Sequence, residues 1–171
     1  MKRVERLPED ALSDDQRALA ATIAGARSGV LGGPFAIWIR VPEIAQRVNH
    51  LSERLRKKSG FEKRLVELMV LMIVGPWKAD YAWDAHARQA LELGIPAETI
   101  AAIRAGTPPT FAREDEQLVY DIFAELNATR ALGAALYARG LETFGLELMI
   151  EMVTTAGFYT MIAMLLAVFD V

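Results

Sequence analysis

The sequence predicts an all-α fold, a compact helical bundle, and three observations carry that prediction. Alanine, leucine, glutamate and arginine dominate the periodic segments, and these residues lose little on entering a helix. No run alternates apolar and polar side chains with the period of two that marks a half-buried strand. Helix starts and stops are signalled by Ser and Asp at one end and by Gly and Pro at the other. At 171 residues the chain reads as a single domain over 1–171, with residues 1–30 a peripheral N-terminal helical extension. A chain of this length buries about two-thirds of the surface it exposes when unfolded.

The elements follow in order. Ser13-Asp14-Asp15 ahead of "QRALAATIAGAR" predicts a capped first helix. "GVLGGPFAIWIR" reads as a loop leading into a short apolar segment. Pro42, pre-set for a first helical turn, opens "PEIAQRVNHLSERLRKKSG", which Gly60 closes. The next helix runs from about Glu62 to Val74 and stops at Gly75-Pro76, since proline cannot continue the hydrogen-bond ladder. The helix carrying "ADYAWDAH" then runs to Gly94. "IPAETIAAIRAG" is a short capped helix and "TPPTF" a rigid connector. "REDEQLVYDIFAELNATR", "GAALYARGLETFG" and an apolar terminal pair complete the chain. A faint internal echo sets Glu67 in "GFEKRLVELMVLMIVG" against Glu151 in "FGLELMIEMVTTAGFY", as in a duplicated helical unit. Asp170 stands in the second copy where His86 stands in the first, so any histidine chemistry belongs to the first.

Composition excludes several functions. The chain has no cysteine, which removes disulfides, thiolate zinc sites and all thiol-based redox or nucleophilic chemistry. A net charge of −3 with both signs interspersed offers no basic face for nucleic acid. The charged N-terminus has no apolar core of signal-peptide length behind it, so a cytoplasmic protein is expected. The uncharged run 152–169 reaches the lower length limit of a membrane span. Glu147, Glu151 and Asp170 flank it without a basic anchor, and Thr154, Thr155 and Gly157 interrupt it, so a buried, subunit-contacting helix is the expectation.

The chemistry concentrates around His86, one of two histidines. At 3.6 residues per turn Ala79, Ala82 and His86 share a helix side, with Tyr81 and Trp83 on its flanks. Small residues there leave space beside the imidazole. Glu67 sits among Val66, Leu68, Met69 and Val70 on the preceding helix, and the Gly75-Pro76 break turns one helix back on the other. Carboxylate plus imidazole is the minimum equipment for general acid–base work. Two plainer readings stand beside this one: His86 is a packed core histidine, or Glu67 is an ion-paired structural carboxylate with Arg64 or Arg88 as partner. Tyr81 and Trp83 either pack or line the pocket. His50 lies in a charged segment and reads as solvated, and with no third ligand of matching spacing no metal site is expected. "RLRKK" at 54–58 reads as a solvated helix end, with attraction of an anionic substrate as the lesser option.

The segment "RLVELMVLMIVGPWKADYAWDAHARQALELGIPAETIAAI" resembles the carboxymuconolactone decarboxylase and alkylhydroperoxidase D-like superfamily. That family's motif has a glutamate, two cysteines spaced C-x-x-C, and a histidine four residues after the second. Here these positions are Glu67, Ala79, Ala82 and His86. Trp83-x-x-His86 and the tyrosine-containing terminal helix resemble a cysteine-free branch. The resemblance implies no thiol peroxidase activity, because both cysteine positions are alanine. It implies instead a decarboxylase-like lyase or isomerase, cofactor-free, acting by acid–base chemistry on a small organic acid or lactone. His86 and Glu67 would be catalytic, and Tyr81, Trp83, Ala79 and Ala82 would line the substrate cavity. It also implies self-association as a trimer or a pair of trimers. The rival expectation is a non-catalytic helical oligomer on the same scaffold.

Overall fold

The computed structural model describes residues 3–25 and 31–171. The expected end of the first helix at Ala26-Arg27 and the start of the loop at Gly29-Val30 lie outside the described residues. Among the described residues eight α-helices follow a 3₁₀ turn at Glu9–Ala11: α1 Asp14–Gly25, α2 Pro34–Trp38, α3 Pro42–Lys57, α4 Lys63–Val74, α5 Asp80–Glu92, α6 Ala97–Ala105, α7 Glu114–Thr129 and α8 Ala134–Phe169. Ser13 and Gln16 exchange side-chain and backbone hydrogen bonds of 3.2 and 2.9 Å, a capping box that starts α1.

The bundle is organised around α4. Every residue from Leu65 to Val74 is buried, and α4 packs most heavily on α5, α7 and α8. A helix apolar on all sides is stable only when other helices cover each of those sides. Each apolar side chain it buries contributes on the order of 2 kcal/mol. The turn after α4 is tight: the Lys78 and Ala79 amides donate to the carbonyls of Gly75 and Val74 at 2.9 and 3.1 Å. Gly75 is needed there for contact as well as for termination, since a Cβ would stand 3.0 Å from both the Leu71 carbonyl and the Trp83 ring.

The expected terminal pair of helices is corrected in one respect. The chain bends at Gly145, whose φ of 77° and ψ of 167° are non-helical, and then continues without a break through Gly157 to Phe169. The residues after Gly145 therefore form one long apolar helix. By length and composition α8 is the one helix among the described residues able to cross a membrane. Its inner side is nevertheless packed on α4, α7, α2 and α3. The buried Glu151 on that side accepts hydrogen bonds from the Ser59 hydroxyl and the Gly60 amide and pairs with Arg54 at 3.0 Å.

Candidate active site

Glu67 in the middle of α4 and His86 in the second turn of α5 meet across the α4–α5 contact. His86 Nδ1 lies 2.5 Å from Glu67 Oε2, and the residues are 8% and 7% exposed. Of the ion-pair partners considered for Glu67, Arg64 instead pairs with the buried Glu116, and Arg88 is exposed. With the carboxylate on Nδ1, Nε2 is the ring nitrogen left for another molecule. The imidazole also meets the Tyr159 ring edge-on, 5.2 Å between centroids, and Tyr159 in turn meets Phe158. Carboxylate and aromatic ring together hold the imidazole in one orientation.

Two concavities flank this pair. The imidazole lines a hollow of about 200 Å³ walled by Phe35, Ser52, Tyr81, Ala82, Ala85, Tyr159 and Ile162. The carboxylate lines a more open cleft of about 500 Å³ with Lys57, Lys63, Val66, Glu92 and Leu93. Arg56 and Gln89 line both. Arg56 is half-buried and, among the described residues, forms no ion pair, whereas its neighbours Arg54 and Lys57 are held by Glu151 and Glu53. The hollow's rim depends on Gly33, whose φ of 54° and ψ of −132° suit glycine. A Cβ there would stand 2.1 Å from the Tyr81 ring.

The structure brings together Glu67, His86, Ala82 and Tyr81, and sets apart Ala79 and Trp83. Ala79 is the residue before α5, not part of it, and lines a separate hollow with Trp77 and Leu166. The expectation that it shares a helix side with His86 fails because the turn after α4 takes up residues 75–79. Trp83 is buried against Gly75, and the Arg104 guanidinium lies 4.8 Å above its ring. Its place is the α4–α5–α6 junction, not the hollow. Sequence reasoning missed Ser52, Gln89 and Phe35, and it gave the run 54–58 that contains Arg56 an anion-attracting role only as the lesser option. Ser52 and Arg56 are four apart on α3, and Ala82, His86 and Gln89 are four and three apart on α5, but nothing local says that those two helix faces oppose each other. His50 is exposed, as read. Among the described residues no group of three or more His, Asp or Glu side chains is placed to hold a metal ion.

Residues 42–116, which span α3 to the start of α7 and include both Glu67 and His86, match the Carboxymuconolactone decarboxylase family. A solved structure described as an alkylhydroperoxidase AhpD core, an uncharacterized peroxidase-related protein from Ralstonia eutropha JMP134, superposes with a TM-score of 0.79. It is 14% identical, and the superposition covers 99% of this chain and 90% of that one. Comparison with curated proteins gives no match. The chain thus has the AhpD-core-like all-α fold, carries a segment over 42–116 similar to the Carboxymuconolactone decarboxylase family, and contains no cysteine.

Proposed function

We propose that this chain is a decarboxylase-like enzyme that works by acid–base chemistry on a small organic acid or lactone, with His86 and Glu67 as its catalytic pair. The observation that carries the reading is the 2.5 Å Glu67–His86 contact with its imidazole on the wall of a hollow. A histidine kept only for packing has no need of both a buried carboxylate and an adjoining space.

Glu67 accepts the Nδ1 proton, fixing the tautomer in which Nε2 is a base. Nε2 takes a proton from a substrate carbon or hydroxyl, and Glu67 stabilises the imidazolium that forms. Returned to a different atom of the substrate, that proton completes an isomerisation. In a decarboxylation the carbon–carbon bond to the carboxylate breaks and carbon dioxide leaves. The electron pair then moves onto a neighbouring carbonyl, to which the imidazolium donates its Nε2 proton. Arg56, half-buried and without a partner among the described residues, holds an anionic group of the substrate, and Tyr81 covers the entrance. The family match over 42–116 supports this reading, and the absence of any cysteine leaves no thiol for peroxidase chemistry.

The test is turnover of a panel of small carboxylated lactones and β-keto acids, followed by carbon dioxide release and ultraviolet absorbance. Glu67→Gln and His86→Asn should each lower the rate by at least about a hundredfold with unchanged circular dichroism. Substrate binding without turnover across the panel, equal in wild type and variants, would favour the non-catalytic scaffold.

A further inference from the structure

The outer side of α8 is unpartnered, and its residues follow a pattern. Leu146, Ile150, Val153, Gly157, Met161, Met164 and Val168 are all exposed, and the large ones among them are 37% to 59% exposed. Their spacing repeats after eleven residues, 146 to 157 to 168, and an eleven-residue repeat keeps a stripe on one side of a nearly straight helix. The spacing is also symmetric about Gly157, with apolar residues four, seven and eleven positions away in each direction.

Gly157 itself has no explanation within one copy. It lies in uninterrupted helix, where glycine is the costliest residue after proline, and a Cβ added there would meet nothing within 4 Å. Neither a turn nor a neighbouring side chain requires it. What a glycine on an open helix face permits is the close approach of another backbone from outside.

We infer that α8 pairs with α8 of a second copy of this chain, antiparallel, about a two-fold axis through Gly157. A two-fold operator sets each residue against the one equally far on the other side of the axis. Gly157 then meets its own counterpart, Val153 meets Met161, Ile150 meets Met164, and Leu146 meets Val168. Charge selects the antiparallel direction. In a parallel pair Glu147 would face Glu147, whereas in the antiparallel pair it stands near Ala167, and the helix dipoles also oppose. Covering the stripe on both copies removes roughly 1,200 Å² from water, at the lower edge of stable specific interfaces. The assembly so formed contains an even number of chains. This inference is independent of the chemistry proposed for His86.

The chain's lack of cysteine makes the test clean. Gly157→Cys, on an open helix face, should form a covalent dimer under mild oxidation, because the two positions meet at the axis. Leu146→Cys should not, because its copies lie at opposite ends of the pair, roughly 33 Å apart at 1.5 Å per residue. Sedimentation velocity of the wild type at micromolar concentration should give a dimer or an even multiple. Gly157→Arg should weaken association at least tenfold with unchanged helix content. A monomer or an odd-numbered oligomer would overturn the inference, as would equal cross-linking at 146 and 157. Recovery of the chain only by detergent extraction, without cross-linking, would assign the stripe to lipid and overturn it as well.

Discussion

The Glu67–His86 contact should be measurable as a coupling free energy without knowledge of the substrate. Glu67→Leu removes the acceptor and leaves a buried imidazole N–H without its partner, a loss of about 1–3 kcal/mol. His86→Leu leaves a buried carboxylate facing an apolar side chain, which costs about 3–5 kcal/mol while the carboxylate stays charged. The double substitution strands neither group. Its cost should therefore fall short of the sum of the singles by about 0.5–3 kcal/mol, the range found for directly contacting pairs. Both residues are more than nine-tenths buried and 2.5 Å apart, so water cannot easily take either partner's place on the inner side. Urea unfolding followed by circular dichroism at one fixed protein concentration reads the cycle, the concentration being held because association shifts apparent stability. Thermal midpoints should move by about 2–4 °C per kcal/mol for a chain of this size. Additivity to within about 0.5 kcal/mol would show that the two side chains do not depend on one another. The proton relay would then lose its physical basis.

Four further outcomes are expected. Gly33→Ala should destabilise by about 1–3 kcal/mol through its sparsely populated positive-φ backbone and should displace the Tyr81 ring. In a Tyr81→Ala background the backbone cost should remain and any effect on KM should disappear, as unfolding and steady-state kinetics would show. Arg56→Gln should raise KM for anionic substrates about tenfold or more with little change for a neutral lactone, and an equal effect on both would remove Arg56 from anion recognition. The purified chain should turn over no hydroperoxide with any dithiol donor, and a rate that survives rigorous removal of contaminating peroxidases would contradict the absence of thiol chemistry. Asp115 accepts hydrogen bonds from Arg113 at 2.6 and 2.9 Å, and these hold its carboxyl below the usual carboxylate range. Because the folded pKa is the lower one, its stabilisation is present above the unfolded value near about 4 and is lost as pH falls through the folded value. Asp115→Asn should therefore flatten unfolding free energy between pH 5 and 3, and an unchanged slope would refute the assignment.

How much was legible in the sequence can be seen at single residues. The helices were legible because their signals are local. Ser13 caps α1 through its own hydroxyl, Pro42 opens α3, and Gly75-Pro76 ends α4, each by chemistry that acts within one or two turns. The absence of thiol chemistry was legible too, since it depends on composition alone. Glu67 and His86 could be named because a carboxylate inside an apolar helix and an imidazole among small residues stand out from their neighbours. Their meeting, and the hollow beside it, needed the fold. Helical counting misplaced Ala79 because the turn at 75–79 delays the start of α5 to Asp80, whereas Trp83 leaves the hollow because its indole packs against Gly75 and under the Arg104 guanidinium. Gly157 looked like a break and is continuous helix, since packing of the inner face of α8 outweighs glycine's weak preference against helix. Arg54, Arg56 and Lys57 are indistinguishable in a charged run. Only the tertiary structure sends Arg54 to Glu151, keeps Lys57 on Glu53 and leaves Arg56 between the two concavities, because which side chains neutralise one another depends on distances between helices that no local pattern encodes.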